Sequence, residues 1–152
     1  MKSLRHDVDL QSITERLQQV TPGLQPRWGR MTPPQAICHL SDSFLAAMGE
    51  KQVSMETTLL KRTAMKFAAL YLPRPWPPGV KTRPEVEQGV GGTNPGDFAA
   101  DRQQLIAVMR RFAAPHRDFT WQPHAIFGPL SDSQWLRWGY LHMDHHLRQF
   151  GV

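Results

Sequence analysis

Three histidines in this chain could act together: His39, and the pair His142 and His146 near its end. The pair reads His-x-x-x-His, and residues four apart on a helix differ by about 40° around the axis and about 6 Å along it. Two imidazoles so placed can reach one ion. A catalytic site of the zinc type takes three protein ligands and leaves a position open for water or substrate. His39 supplies the third ligand if its helix packs against the last one. A competing reading stands beside this one, because an i,i+4 histidine pair also serves as a plain hydrogen-bonding pair in a core or on a surface. His145 competes with His146, since i+3 also chelates, and spacing alone leaves that choice open.

The helices that must carry these residues announce their starts. Thr32-Pro33-Pro34-Gln35 reads as a capping box with proline at the first helical position. Ser131-Asp132-Ser133-Gln134 is a second box, with Asp132 favouring the positive helix start. His39 falls two turns into the first helix, and His142 and His146 fall late in the second, which should end at Gly151. An antiparallel pair brings such a start and such an end to one level.

Angles sort the last helix into stripes. Trp135, Trp138, His142, His146 and Gln149 follow at spacings of 3 or 4 and form the expected inward stripe. Arg137, Asp144 and Arg148 form another, read as a solvent face with an ordinary i,i+4 ion pair. Buried imidazoles need partners, and a shared ion would supply one. On the first helix of the pair, Gln35, Asp42, Ser43 and Ala46 share the face of His39. Asp42 could orient His39, act as a general base, or be solvated. Cys38 sits 100° from His39 and reads as a packing residue.

The 152 residues suggest one domain spanning 1–152. Leu10, Ile13, Leu17 and Val20 recur at the helical period, giving a helix from about Asp9 to Val20 with Asp7 or Asp9 as its cap. Further helices are expected over Pro33–Met48, Leu59–Leu72, from Asn94-Pro95-Gly96-Asp97 to about Ala114, and after Ser131. Two long loops, 73–93 and 116–130, separate them. With no alternating strand pattern, the fold class is an all-α bundle with both loops over the metal end. Trp76 and Phe127 lie in those loops and should shape a pocket, with His124 within hydrogen-bonding reach of a substrate. The alternative is that the two rings plug the end of the bundle and His124 fixes its own loop.

Composition narrows the partners. The net charge is +5, but no stripe of five or more basic residues occurs, so nucleic acid is not expected; the excess reads as solvated surface with one basic rim near a site for an anionic substrate. The longest apolar-rich run, Ala64 to Leu72, contains Lys66 and is too short to span a bilayer, so no membrane is expected. The N-terminus lacks the apolar core of a secretory signal, and the single cysteine, Cys38, rules out an internal disulfide; both fit a cytoplasmic location.

Motifs at both ends of the site carry a resemblance. The segment from Pro123-His124-Ala125-Ile126-Phe127-Gly128 through Trp135 to His142-Met143-Asp144-His145-His146-Leu147-Arg148-Gln149 resembles the DinB-like superfamily. It looks closest to a branch with a Pro-His-x-x-Phe-Gly loop and a His-x-x-His-His-x-Arg-Gln ending. Met31-Thr32-Pro33-Pro34-Gln35, leading to His39, resembles the first metal-bearing helix of that superfamily. The resemblance implies an up-down-down-up four-helix bundle holding a divalent ion, zinc or nickel, on His39, His142 and His146. It also implies a thiol-dependent S-transferase drawing on a low-molecular-weight thiol.

The leading expectation is therefore a metal-dependent enzyme acting on a small-molecule substrate, with a homodimer as its assembly. Trp76, Phe127 and Gln149 are the candidate cofactor-binding residues, and Asp42 and His124 the candidate catalytic ones. Hydrolysis of a substrate by water activated at the ion is the alternative reaction. A metal- or ligand-binding stress-response module is the alternative without catalysis.

Overall fold

A computed structural model describes residues 1–55, 59–79 and 82–152, with side chains described throughout these except at 59–62. The described residues form five helices and no strand: α1 (Asp7–Gln19), α2 (Pro33–Ala47), α3 (Leu59–Tyr71), α4 (Phe98–Ala113) and α5 (Asp132–Gln149). The all-α expectation therefore holds. No described helix is long and apolar enough to cross a membrane.

Both capping boxes form. The Gln35 Oε1 accepts from the Thr32 N–H at 3.0 Å, and the Gln134 Oε1 accepts from the Ser131 N–H at 2.9 Å, while each cap hydroxyl takes the backbone N–H three residues on. Helix α5 stops where expected. Gly151 adopts φ +83°, the left-handed conformation glycine enters without strain. Its N–H then bonds the Arg148 carbonyl and the Val152 N–H bonds the Leu147 carbonyl, both at 3.1 Å, closing a Schellman motif.

Helix α1 begins at Asp7 and has no side-chain cap, contrary to the expectation for Asp7 or Asp9. The buried Asp9 carboxylate is diverted: it accepts from Lys2 Nζ at 2.7 Å and the Ser3 N–H at 3.0 Å, and meets the His6 ring at 3.0 Å. These bonds tie the N-terminal arm to the helix.

The core is built from apolar residues that recur at helical spacing. Ile13 and Leu17 of α1, Ile37, Leu40 and Phe44 of α2, Leu105, Met109 and Phe112 of α4, and Trp135, Trp138 and Met143 of α5 are buried. Helix α2 packs on α4 and α5, α1 on α5 and α4, and α3 on α5. Cys38 meets Asp101 and Phe44 meets Phe112 between α2 and α4, and Phe44 meets Trp138 between α2 and α5. Between α1 with its arm and α5, the Leu4 N–H bonds the Leu136 carbonyl and Arg16 pairs with Asp144 at 2.8 Å.

The Arg137, Asp144 and Arg148 stripe is not the open face that its charges suggested. The i,i+4 pair Arg148–Asp144 forms at 2.9 Å, but Arg16 of α1 joins it, and Arg137 donates to the carbonyls of Lys2 and Leu70. Helices α1 and α3 lie along α5, so this face is half-buried.

The predicted loop 73–93 contains a short 3₁₀ turn, Pro84–Val86, which Pro84 favours by fixing its own φ. Positions 80 and 81 of that loop lie outside the described residues. The 116–130 loop is pinned by Trp121, which stacks on Trp135 at 5.5 Å, and by the Gln122 N–H bonding the Ala47 carbonyl.

Candidate metal centre

Capping fixes the phase of α2 and α5, and that phase points His39 at the last two turns of α5. The ring centroids of His39 and His142, His39 and His146, and His142 and His146 are all 5.1 Å apart. One nitrogen from each ring lies within 4.8 Å of the others. His39 and His146 are buried, and His142 opens partly to a cavity.

Hydrogen bonds decide which nitrogens face inward. His39 Nδ1 is 2.9 Å from the Val86 carbonyl oxygen, which only accepts, so His39 donates from Nδ1 and keeps its lone pair on Nε2. His146 Nδ1 is 2.8 Å from Gln149 Oε1, whose amide nitrogen in turn donates to the Trp28 carbonyl at 2.8 Å. His146 therefore also keeps its lone pair on Nε2. Fixing the outer nitrogen this way is the usual means of orienting a metal-ligating histidine.

His142 differs: its Nε2 is 3.2 Å from His39 Nε2, and its buried Nδ1 has no partner among the described residues. Two nitrogens sharing a tetrahedral ion at about 2.1 Å lie about 3.4 Å apart, so the 3.2 Å separation fits a common ion.

Electrostatics agree. Burial pushes the His39 pKa down, partly offset by the Val86 carbonyl and Asp42. Burial, then the neighbouring imidazoles, hold His142 and His146 well below the ordinary histidine value. All three are thus neutral near pH 7, the form that binds a metal.

A cavity of about 1140 Å³ opens over this cluster. Both long loops reach it, as expected. The Trp76 ring lies 5.9 Å from the His142 ring and 6.1 Å from that of His145, and its indole N–H bonds the Ala69 carbonyl at 2.8 Å. Phe127 is buried and stacks on His124 at 4.3 Å. His124 Nδ1 accepts from the N–H groups of Ile126 and Phe127, both at 3.1 Å, so the neutral ring carries its proton on Nε2. Burial pushes its pKa down to about 3. His124 thus fixes its own loop while its ring lines the cavity.

Two sequence candidates take other roles in the geometry. Asp42 does not line the cavity: its carboxylate accepts from the Thr93 N–H and Oγ1, both at 2.7 Å, and pairs with Lys51 at 3.1 Å. It anchors the end of the loop whose Val86 carbonyl orients His39. Gln149 has both ends of its amide engaged and orients His146. His145 lies outside the three-nitrogen cluster but lines the cavity between Trp28 and Trp76.

Val86, Thr93 and Trp28 were not found from sequence. Their contributions come largely through backbone atoms in loops, where no side-chain pattern marks them.

Fold and site together define an all-helical protein with a buried three-histidine centre competent to hold a metal ion. The chain belongs to the family described as "Protein of unknown function (DUF1569)", whose model matches residues 2–151. No curated protein and no solved structure matches it.

Proposed function

We propose that this chain is a divalent-metal-dependent enzyme with a DinB-like four-helix bundle, and that it transfers the sulfur of a low-molecular-weight thiol to an electrophilic substrate. Contact pairs support that topology, with α1, α2, α4 and α5 as its four helices. Along α2 and α4 the partners rise together, Cys38 with Asp101 and Phe44 with Phe112, which reads as parallel. Along α2 and α5 they run in opposite senses, His39 with His146 and Phe44 with Trp138. Leu4 with Leu136 and Arg16 with Asp144 rise together, which aligns α1 with α5. Those senses are the ones an up-down-down-up order of α1, α2, α4 and α5 requires.

The observation that carries the metal reading is the pair of outer hydrogen bonds. Val86 and Gln149 occupy Nδ1 of His39 and His146 and leave both Nε2 lone pairs facing His142. A zinc or nickel ion held there would act as a Lewis acid and lower the pKa of a bound thiol.

The chain's own groups favour an external thiol over hydrolysis. Cys38 is no nucleophile: its thiol contacts Asp101 at 3.7 Å, and burial first, then Asp101, pushes its pKa up to about 11. The two candidate bases for hydrolysis are both engaged, Asp42 by Thr93 and Lys51 and His124 through its acceptor nitrogen. The roles left to the chain are enclosure by Trp76 and Phe127 and donation from the His124 Nε2–H.

Elemental analysis of untagged protein should give about one divalent ion per chain. A screen of bacillithiol, mycothiol and glutathione against a chromogenic electrophile should then show transfer that a chelator abolishes. No binding at micromolar free Zn²⁺, Ni²⁺ or Mn²⁺ would sink the metal reading. Metal binding without transfer from any thiol would leave a non-catalytic metal-binding module.

A further inference from the structure

Two guanidinium groups at the rim of the histidine cavity have no partner. Arg30 and Arg74 line it, both are exposed, and neither makes a hydrogen bond or ion pair among the described residues. The other cations on the lining are engaged: Lys51 with Asp42 at 3.1 Å, and Arg83 with the Ser54 carbonyl at 2.8 Å.

The two free arginines lie in segments that meet at His145. Arg30 follows Trp28 by two residues, and Arg74 precedes Trp76 by two. The Trp28 and Trp76 rings lie 5.7 and 6.1 Å from the His145 ring, so the two segments flank the same imidazole. Two residues of extended chain span at most about 7 Å, so the backbone segments that carry both arginines pass beside that imidazole.

A second observation points the same way. The Trp28 indole N–H is buried and has no acceptor among the described residues, and neither end of the Gln88 amide, also on the lining, has a partner. Buried polar groups are rarely left so. Indole N–H and guanidinium only donate and the Gln88 amide does both, so the unpartnered groups on this lining are mostly donors and suit a ligand rich in acceptors. Guanidinium matches the paired oxygens of carboxylate and phosphate. The lining also carries apolar side chains, among them Met31, Leu72, Ile126 and Phe127.

We infer that the cavity binds an organic oxyanion, a carboxylate or phosphate on an apolar body, its charged end held by Arg30, Arg74 and the Trp28 indole N–H and its body directed toward the histidines. This deepens the reading of the cavity as the substrate site.

The test is tryptophan-fluorescence titration with 4-phenylbutyrate, 4-phenylbutyl phosphate and the neutral 4-phenylbutan-1-ol. It is run on the wild-type chain and the Arg30→Gln/Arg74→Gln double variant, with metal content and Tm measured on each. At least one anion should bind ten-fold or more tighter than the alcohol, and the better of the two identifies the head group. The double variant should lose that preference with Tm and metal content unchanged. Equal affinity for anion and alcohol, no binding of either anion at millimolar concentration, or a preference that survives in the double variant overturns the inference. A preference that survives there but disappears in His39→Ala would place the anion on the histidine centre instead. Arginine-dependent anion binding by a chain that holds no metal would keep this inference and remove the metal reading.

Discussion

Replacing Gln149 by alanine should weaken zinc binding by about 10–100-fold, the usual loss when the outer partner of a metal-ligating histidine is removed. In the wild-type chain Gln149 Oε1 accepts the His146 Nδ1–H at 2.8 Å, and the residue is buried. The alanine variant strips that acceptor from an imidazole that is itself buried. An orphaned buried donor costs about 1–3 kcal/mol, which is a factor of about 5–150 in an equilibrium constant. The cost falls unequally on the two states. Without metal, His146 can move its proton to Nε2 and donate toward its neighbours. With metal, Nε2 must carry the lone pair, so Nδ1–H is compulsory and unsatisfied. Loss of the Gln149 amide also frees the Trp28 carbonyl, which should lower Tm of the metal-free chain slightly. The assay is competition against a fluorescent zinc chelator at pH 7.5, with Gln149→Glu as the control that retains an acceptor. An alanine variant within two-fold of wild-type affinity would refute the orientation argument for His146.

Three further outcomes are expected. His146→Ala should abolish stoichiometric metal by mass spectrometry, while His145→Ala should change affinity less than ten-fold; the reverse order would rotate the inward stripe by one residue. The folded pKa of His124 is depressed to about 3 against an ordinary 6.5, so its neutral form contributes stability that is complete above pH 6.5 and is lost as pH falls toward 3. Urea denaturation of metal-free protein should show a loss of about 2 kcal/mol by pH 5 from this group, with the depressed ligand histidines adding in the same direction, and a flat profile would contradict its burial. Gly139→Ala should destabilise by about 1–3 kcal/mol without changing metal stoichiometry, because a Cβ there would come within 2.8 Å of Leu4 and 2.9 Å of Phe112; chemical denaturation reads it directly.

The helices and their histidine faces were legible because caps and a 3.6-residue period fix which side of a helix points inward. Thr32 with Gln35 and Ser131 with Gln134 set that phase, and His39, His142 and His146 followed from it. Periodicity says nothing about which atom of an inward side chain is left free. For His39 that is decided by the Val86 carbonyl, and for Asp42 by Thr93, both from the loop after α3, where partners have no fixed offset in sequence. Gln149 was legible as a stripe member three residues after His146, but its role depends on the Trp28 carbonyl, which turns its amide so that the oxygen meets the imidazole. His142 is the informative exception. No described residue supplies its Nδ1 with a partner, so among these residues only the shared centre fixes its tautomer. It should therefore be the ligand whose ring reorients most when the metal is removed, and the one through which the open cavity and the buried pair of histidines communicate.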